Sequence, residues 1–318
     1  VGAVLVCALV GNLWKQLNPW AALFDLLTAG RRPAARLRLP AWLGAWPAVA
    51  SYLGFAAVSL APPAGLPWLM AALAAGYTAL TLAGMALFGR REWLCRCEGL
   101  TVLLDVSGRF GPVEAERDAA ERVERVWLRP WGSGLLRPGA AGWDRVAFVM
   151  VVLGTLAFDG LRTTGTLPFT PPIGAAASAA AWSLLLATVF LLVFAALARG
   201  MRLLAGARAG DAAAVTTFAL TLVPIGLLYA AAHFSSALVG RPQVGPVLTG
   251  ADTVWFVQVT AVLAGHAISV HLAHRQAGER FTSARRAALS QYPVLVALVL
   301  YTMASLWILA LPLTGQAA

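Results

Sequence analysis

Residues 174–198 read GAAASAAAWSLLLATVFLLVFAALA, from Gly174 to Ala198, without one charged side chain. A helix needs roughly 20 apolar residues to cross a bilayer core, and this stretch exceeds that. Outward from it, apolar runs of spanning length recur near Ala41–Ala61, Pro67–Phe88, Arg145–Thr163, Ala212–Val239, Thr253–His274 and Ser290–Leu313. Val1–Leu13 is apolar but shorter, and reads as the remainder of a helix that begins upstream. The pattern predicts an all-α fold, a polytopic transmembrane helical bundle. It has about seven full spans plus a truncated N-terminal one, in a single integral membrane domain over residues 1–318.

Composition points the same way. Charged residues make up 12% of the chain, hydrophobic ones 59%. A soluble domain carries about 25% charged residues because its surface must face water. Half that fraction cannot cover a globule of this size, so the expected partner is the lipid bilayer. The net charge of +10 does not indicate nucleic acid, because the basic residues lie between the apolar runs and form no single patch.

All but Arg162 and Arg241 of the 24 Lys and Arg residues fall in alternate connections: Trp14–Pro40, Gly89–Arg145, Arg199–Arg208 and Arg275–Arg286. Such a bias marks the cytoplasmic side. It places the C-terminus outside.

Two of these connections have structure of their own. Trp14 to Trp20 leads into Ala21–Leu27, interrupted by Asp25; Trp93 leads into Gly99–Val106, interrupted by Asp105. The parallel order suggests a duplicated pair of interfacial helices, since Trp favours the headgroup zone. Within the 89–144 connection, Glu114–Trp127 places acids and arginines three and four residues apart, which suits a short solvated helix. Cys7, Cys95 and Cys97 imply no disulfide framework. A Cys95-x-Cys97 pair supplies two of the four ligands that a structural metal site needs.

Ionisable groups inside hydrocarbon are costly and mark functional or paired positions. Thr155, Asp159 and Arg162 share one helical face. One reading of that face is a local Asp159–Arg162 ion pair. Gly226, Tyr229, His233 and Ser236 form a second stripe above Pro224, at least a packing face. His266 lies in the next segment, with Gln258, Gly265 and Ser269 on broadly the same side. His271 and His274 sit near its cytoplasmic end, where a cation at a helix C-terminus needs no special role. At 1.5 Å per residue, Asp159 and His233 lie roughly 8–10 Å from the outer surface and His266 roughly 20 Å. Asp159 and His233 are therefore the pair placed to meet.

No Walker loop, Gly-x-Ser-x-Gly elbow, His-Glu-x-x-His helix or Cys-x-x-Cys-His site occurs in the sequence. An ATP-driven pump, a serine hydrolase of the usual kind and a c-type cytochrome are thus not indicated.

Five local patterns run in order along the chain. Asn12-Leu-Trp-Lys-Gln-Leu-Asn-Pro-Trp20 precedes Leu39-Pro-Ala-Trp-Leu-Gly-Ala-Trp-Pro47; Ala157-Phe-Asp-Gly160 follows. Leu222-Val-Pro-Ile225 with Ala232-His-Phe234, and Gly265-His266 with Ala273-His-Arg275, complete the set. In this order the chain resembles a family of bacterial multi-pass membrane proteins of the fenitrothion hydrolase type. That resemblance covers most of the chain. It implies an inner-membrane protein that hydrolyses organophosphate triesters. Such chemistry needs an activated water and charge stabilisation at a phosphoryl oxygen, and a divalent metal ion supplies both. On that reading Asp159 and His233 are catalytic. Asp159, His233 and His266 are the metal ligands, and Tyr229, Gln258 and Arg162 contact substrate.

The residues leave three classes open. The first is a membrane-embedded metal-dependent hydrolase. The second is a proton- or cation-coupled transporter using Asp159, His233 and His266. The third is a non-catalytic membrane scaffold.

Overall fold

The computed structural model describes residues 1–31, 35–60, 66–118, 123–137, 142–163, 175–205, 216–239, 251–281 and 283–314. Arg208, Arg241, residues 212–215 of one expected span and the end of the chain from 315 fall outside the description, as does the side chain of Ser236.

The chain is helical almost throughout. Two short helices, α1 (Gly2–Val10) and α2 (Trp14–Leu17), lead to α3 (Pro19–Leu27). The long helices α4 (Trp46–Leu60) and α5 (Pro67–Phe88) follow, then α6 (Arg90–Arg96) and α7 (Gly99–Phe110). The remainder is α8 (Trp143–Thr163), α9 (Ala175–Ala205), α10 (Val223–Val239), α11 (Ala251–Arg280) and α12 (Ala284–Thr314).

Five helical stretches among the described residues are long and apolar enough to cross a membrane: Ala41–Leu60, Pro67–Phe88, Ala177–Leu204, Thr253–Arg280 and Ala284–Trp307. Seven were expected from the sequence. Of the other two, α8 is long enough but carries Asp144, Arg145, Asp159 and Arg162. The described apolar part of the Ala212–Val239 run, Thr217–His233, is shorter. Its first turns, Thr217–Leu222, are 3-10 helix running into α10 at Pro224. Proline removes a backbone donor and crowds the preceding turn, so tighter winding there follows from the sequence.

Packing closes α8, α9, α12, α11 and α10 into a ring in which each helix touches the next and α10 returns to α8. Met150, Leu153, Phe194, Met201, Phe218 and Leu272 fill its interior. Helix α4 lies outside this ring against α8 and α9, where Tyr52, Phe148 and Ala187 form a second cluster. On the outer faces Leu192 is 65% exposed, Leu300 61% and Met303 63%. Apolar side chains exposed along whole helices are stable against lipid, not water.

Each Trp-led connection folds as a short helix followed by a longer one, α2 then α3 and α6 then α7. Asn18 caps α3, accepting from the Trp20 and Ala21 amides at 3.0 and 3.1 Å. Glu98 caps α7 in the same way, from the Leu100 and Thr101 amides at 2.9 and 2.6 Å. The segments clasp one another. Lys15 of α2 reaches Asp105 of α7 at 3.2 Å, and Arg90 of α6 reaches Asp25 of α3 at 3.6 Å. Trp14 Nε1 and Asn18 Nδ2 both donate to Thr101 Oγ1, at 3.2 and 3.0 Å.

Glu114–Trp127 is not the solvated helix its charge spacing suggests. It forms an antiparallel hairpin, β1 (Val113–Arg117) against β2 (Val123–Leu128), with Glu114 opposite Trp127. Val123, Val126 and Trp127 favour strand, and Glu114 spends its charge off the element, on Arg129 and Arg137. Arg129 then fixes the hairpin to the end of α7, donating to the carbonyls of Gly111, Gly108 and Arg109 at 3.0, 3.1 and 3.0 Å. A guanidinium suits this place because the last carbonyls of a helix lack partners within it. Cys95 is exposed and Cys97 buried, both as free thiols, so they do not present a joined ligand pair.

Candidate functional site

Helix α8 carries Asp159 to the contact with α10. There its carboxylate has two basic partners. Arg162 Nε lies 2.8 Å from Oδ1, one turn along the same helix. His233 Nε2 lies 3.1 Å from Oδ2, across the helix contact. The expected ion pair and the expected Asp–His meeting therefore coexist on one carboxylate. Tyr229, one turn before His233, stacks parallel to its ring at 6.3 Å with a 7° tilt. The site is half-buried: the Asp159 side chain is 20% exposed, that of His233 36%.

This arrangement has one fixed cation and one that depends on protonation. Arg162 stays charged at any physiological pH, whereas an imidazole is a cation only when protonated. The cluster of three is thus neutral when His233 is neutral and carries one positive charge when it is protonated. The added charge then lies against the Asp159 carboxylate.

Below the pair, Thr155 bonds the hydroxyl of Tyr52 at 3.1 Å. Beside it an apolar cleft of roughly 180 Å³ is lined in part by Tyr52, Leu156, Gly226 and Ala230.

Helix α11 continues the polar series. Gln258 Nε2 donates to the Ala232 carbonyl of α10 at 3.3 Å, next to His233. His266 Nδ1 lies 2.8 Å from the Val262 carbonyl. A carbonyl only accepts, so Nδ1 carries the hydrogen and Nε2 presents a lone pair. His266 Nε2 is buried without a hydrogen-bond partner among the described residues, as are Ser269 Oγ and Gln276 Oε1. Gln276 Nε2 donates to Thr217 at 2.9 Å. At 3.6 residues per turn, Gln258, His266, Ser269 and Gln276 fall within about 80° of one another around the helix. Gly265 lets α10 approach there: a Cβ on it would sit 3.1 Å from the Pro224 carbonyl oxygen.

The expected metal set does not assemble. Among the described residues no three His, Cys, Asp or Glu side chains gather where one ion could bind them. Asp159 and His233 are two donors, but Arg162 already holds the same carboxylate, and its charge opposes a dication. His266 instead packs beside Tyr301, ring centres 5.6 Å apart.

Of the sequence candidates, Asp159, His233, Arg162 and Tyr229 form one cluster, Gln258 touches the backbone beside it, and His266 stands further along α11. Sequence reading missed Gln276 and Thr217. Gln276 sits ten positions beyond His266, close to three helical turns and so on the same face. Extending the stripe by that spacing finds it.

No protein-family model, no curated protein and no solved structure matches this chain.

Proposed function

We propose that this chain is a proton-coupled multi-pass membrane transporter in which Asp159 and His233 bind and release the proton. The positive-inside bias supports a cytoplasmic Arg-rich end, with the Asp159–His233 pair toward the outer surface, and the family resemblance suggests a bacterial inner membrane. In that setting α8 and α10 also span, completing seven.

One observation carries the reading: polar groups continue from the Asp159–His233 pair along a single face of α11. Gln258 to Gln276 covers about 27 Å at 1.5 Å per residue, against a hydrocarbon thickness of about 30 Å. Buried polar atoms without partners cost about 1–3 kcal/mol each. A scaffold gains nothing from placing His266 Nε2, Ser269 Oγ and Gln276 Oε1 in line. A hydrated path uses all three.

The test is reconstitution into proteoliposomes with a pH-sensitive dye inside, under an imposed pH gradient. Flux in the wild type that drops at least tenfold in Asp159→Asn and His233→Gln supports the reading. Equal flux in wild type, variants and empty liposomes overturns it.

A second reading keeps the hydrolase. The Asp159–His233 hydrogen bond resembles the way a carboxylate orients a general-base imidazole, and the apolar cleft reaches Leu156 and Ala230, one turn along each helix from the pair. Phenol release from an organophosphate triester, lost in Asp159→Asn, would select this reading.

A further inference from the structure

At the Arg-rich end, far along α8 from Asp159, the helices and the hairpin enclose a concavity of roughly 430 Å³. Lys15, Arg90, Arg91, Arg109, Arg117 and Arg145 line it, against the carboxylates of Asp105 and Asp118. Trp14, Leu94 and Val102 give it an apolar floor.

We propose that this basin binds a phosphate-bearing anion at the membrane surface. The positive-inside bias asks only that basic residues lie on this side; it does not ask them to converge. Here they come from five elements, α2, α6, α7, β1 and α8, onto one space. Six basic side chains face two carboxylates, so a net positive charge remains even with Asp105 paired to Lys15 and Arg109, and with Arg90 reaching Asp25. Asn12 Nδ2, Lys15 Nζ and Arg109 Nη2 surround the Asp105 carboxylate at 2.9, 3.2 and 3.1 Å. Those contacts hold Lys15 and Arg109 in place at the wall. Guanidinium groups match phosphate oxygens in pairs. The volume lies within the range of small-ligand sites. The apolar floor suits an ester or acyl portion attached to the phosphate.

Two sources share this chemistry, an anionic phospholipid headgroup and a soluble phosphate, and one experiment separates them. The full chain, purified in detergent, is titrated with short-chain phosphatidylglycerol, short-chain phosphatidylcholine and inorganic pyrophosphate while its thermal unfolding is followed. Stabilisation by phosphatidylglycerol but not phosphatidylcholine identifies a lipid headgroup. Stabilisation by pyrophosphate alone identifies a soluble ligand. In either case Arg91→Gln and Arg145→Gln should each weaken binding about fivefold, and raising the salt should weaken it further. Arg285→Gln, an exposed position outside the basin, should leave binding unchanged. No stabilisation by either anion beyond that of phosphatidylcholine overturns the proposal. So does equal weakening by Arg285→Gln, which would reduce the effect to general charge attraction.

Discussion

His233 Nε2 and Asp159 Oδ2 lie 3.1 Å apart across the contact between α10 and α8, although 74 positions separate them in the chain (233 − 159). The carboxylate is shared with Arg162 at 2.8 Å. Removing the two partners should therefore have different consequences. His233→Gln keeps a hydrogen bond but cannot be protonated, and should abolish proton flux while the protein stays folded. Arg162→Gln keeps the titrating pair and should reduce flux less. Flux in proteoliposomes, with circular dichroism as the folding control, distinguishes them. Equal losses would mean that the two partners act alike.

His266 and Gln276 test the line along α11. Gln276→Leu fills the same space without the polar atoms, removing one unpartnered acceptor and also the bond to Thr217. Proton flux should fall several-fold, while stability changes by less than about 1.5 kcal/mol, because one acceptor's desolvation cost disappears as one net hydrogen bond is lost. His266→Phe should slow flux similarly. Unchanged flux in both would detach this face from transport.

Gly154 on α8 fixes how closely α9 approaches. A Cβ there would fall 2.6 Å from the Ala187 amide nitrogen and 2.8 Å from its Cα. Both atoms are backbone and cannot turn aside. Gly154→Ala should destabilise the protein by about 1–3 kcal/mol through overpacking. A methyl group on Gly54 in α4 would have nothing within 4 Å of it, so Gly54→Ala should be neutral or slightly stabilising. Thermal unfolding in detergent compares the two.

The thiols should differ in reactivity. Cys95 is exposed and Cys97 buried, and burial pushes the Cys97 thiol up to about 11, against a smaller lowering by Arg96. A thiolate is the reacting form. Burial also raises the Cys95 thiol, so maleimide should modify Cys95 slowly near pH 7.5, faster as pH rises, and Cys97 only after unfolding, as mass spectrometry of the digested protein would show.

Asp105 predicts an acid limb. Burial alone would raise its carboxyl, but Lys15 and Arg109 outweigh that and hold it below the usual carboxylate range. Its contribution to stability is present above the unfolded value of about 3.9 and lost as pH falls through the lower folded value. Asp105→Asn should lower the melting temperature at pH 7 and flatten its decline below about pH 4. A parallel decline in both proteins would assign the acid limb elsewhere.

The helical class and the membrane setting were legible because lipid imposes long uncharged runs, as at residues 174–198. The Asp159–His233 contact was legible from depth alone, since both residues lie at similar heights in neighbouring helices. The hairpin at Val113–Leu128 was not. Its charges repeat at helical spacing, but their partners, Arg129 and Arg137, lie beyond it in sequence. The basin was equally hidden, because basic residues counted along a chain do not reveal that they face one another. His266 was grouped with Asp159 and His233 as a metal ligand on the family resemblance, whereas its Nδ1 is committed to the Val262 carbonyl of its own helix.

The clasp between the two Trp-led segments has a consequence in time. Asn12 waits for Asp105, 93 residues later in the chain. At about 5–20 residues per second, a ribosome needs roughly 5–19 s to deliver that partner. During this interval Lys15 Nζ and Asn18 Nδ2 lack the partners, Asp105 and Thr101, that they have in the fold. The first segment's native seat is completed only when the second arrives.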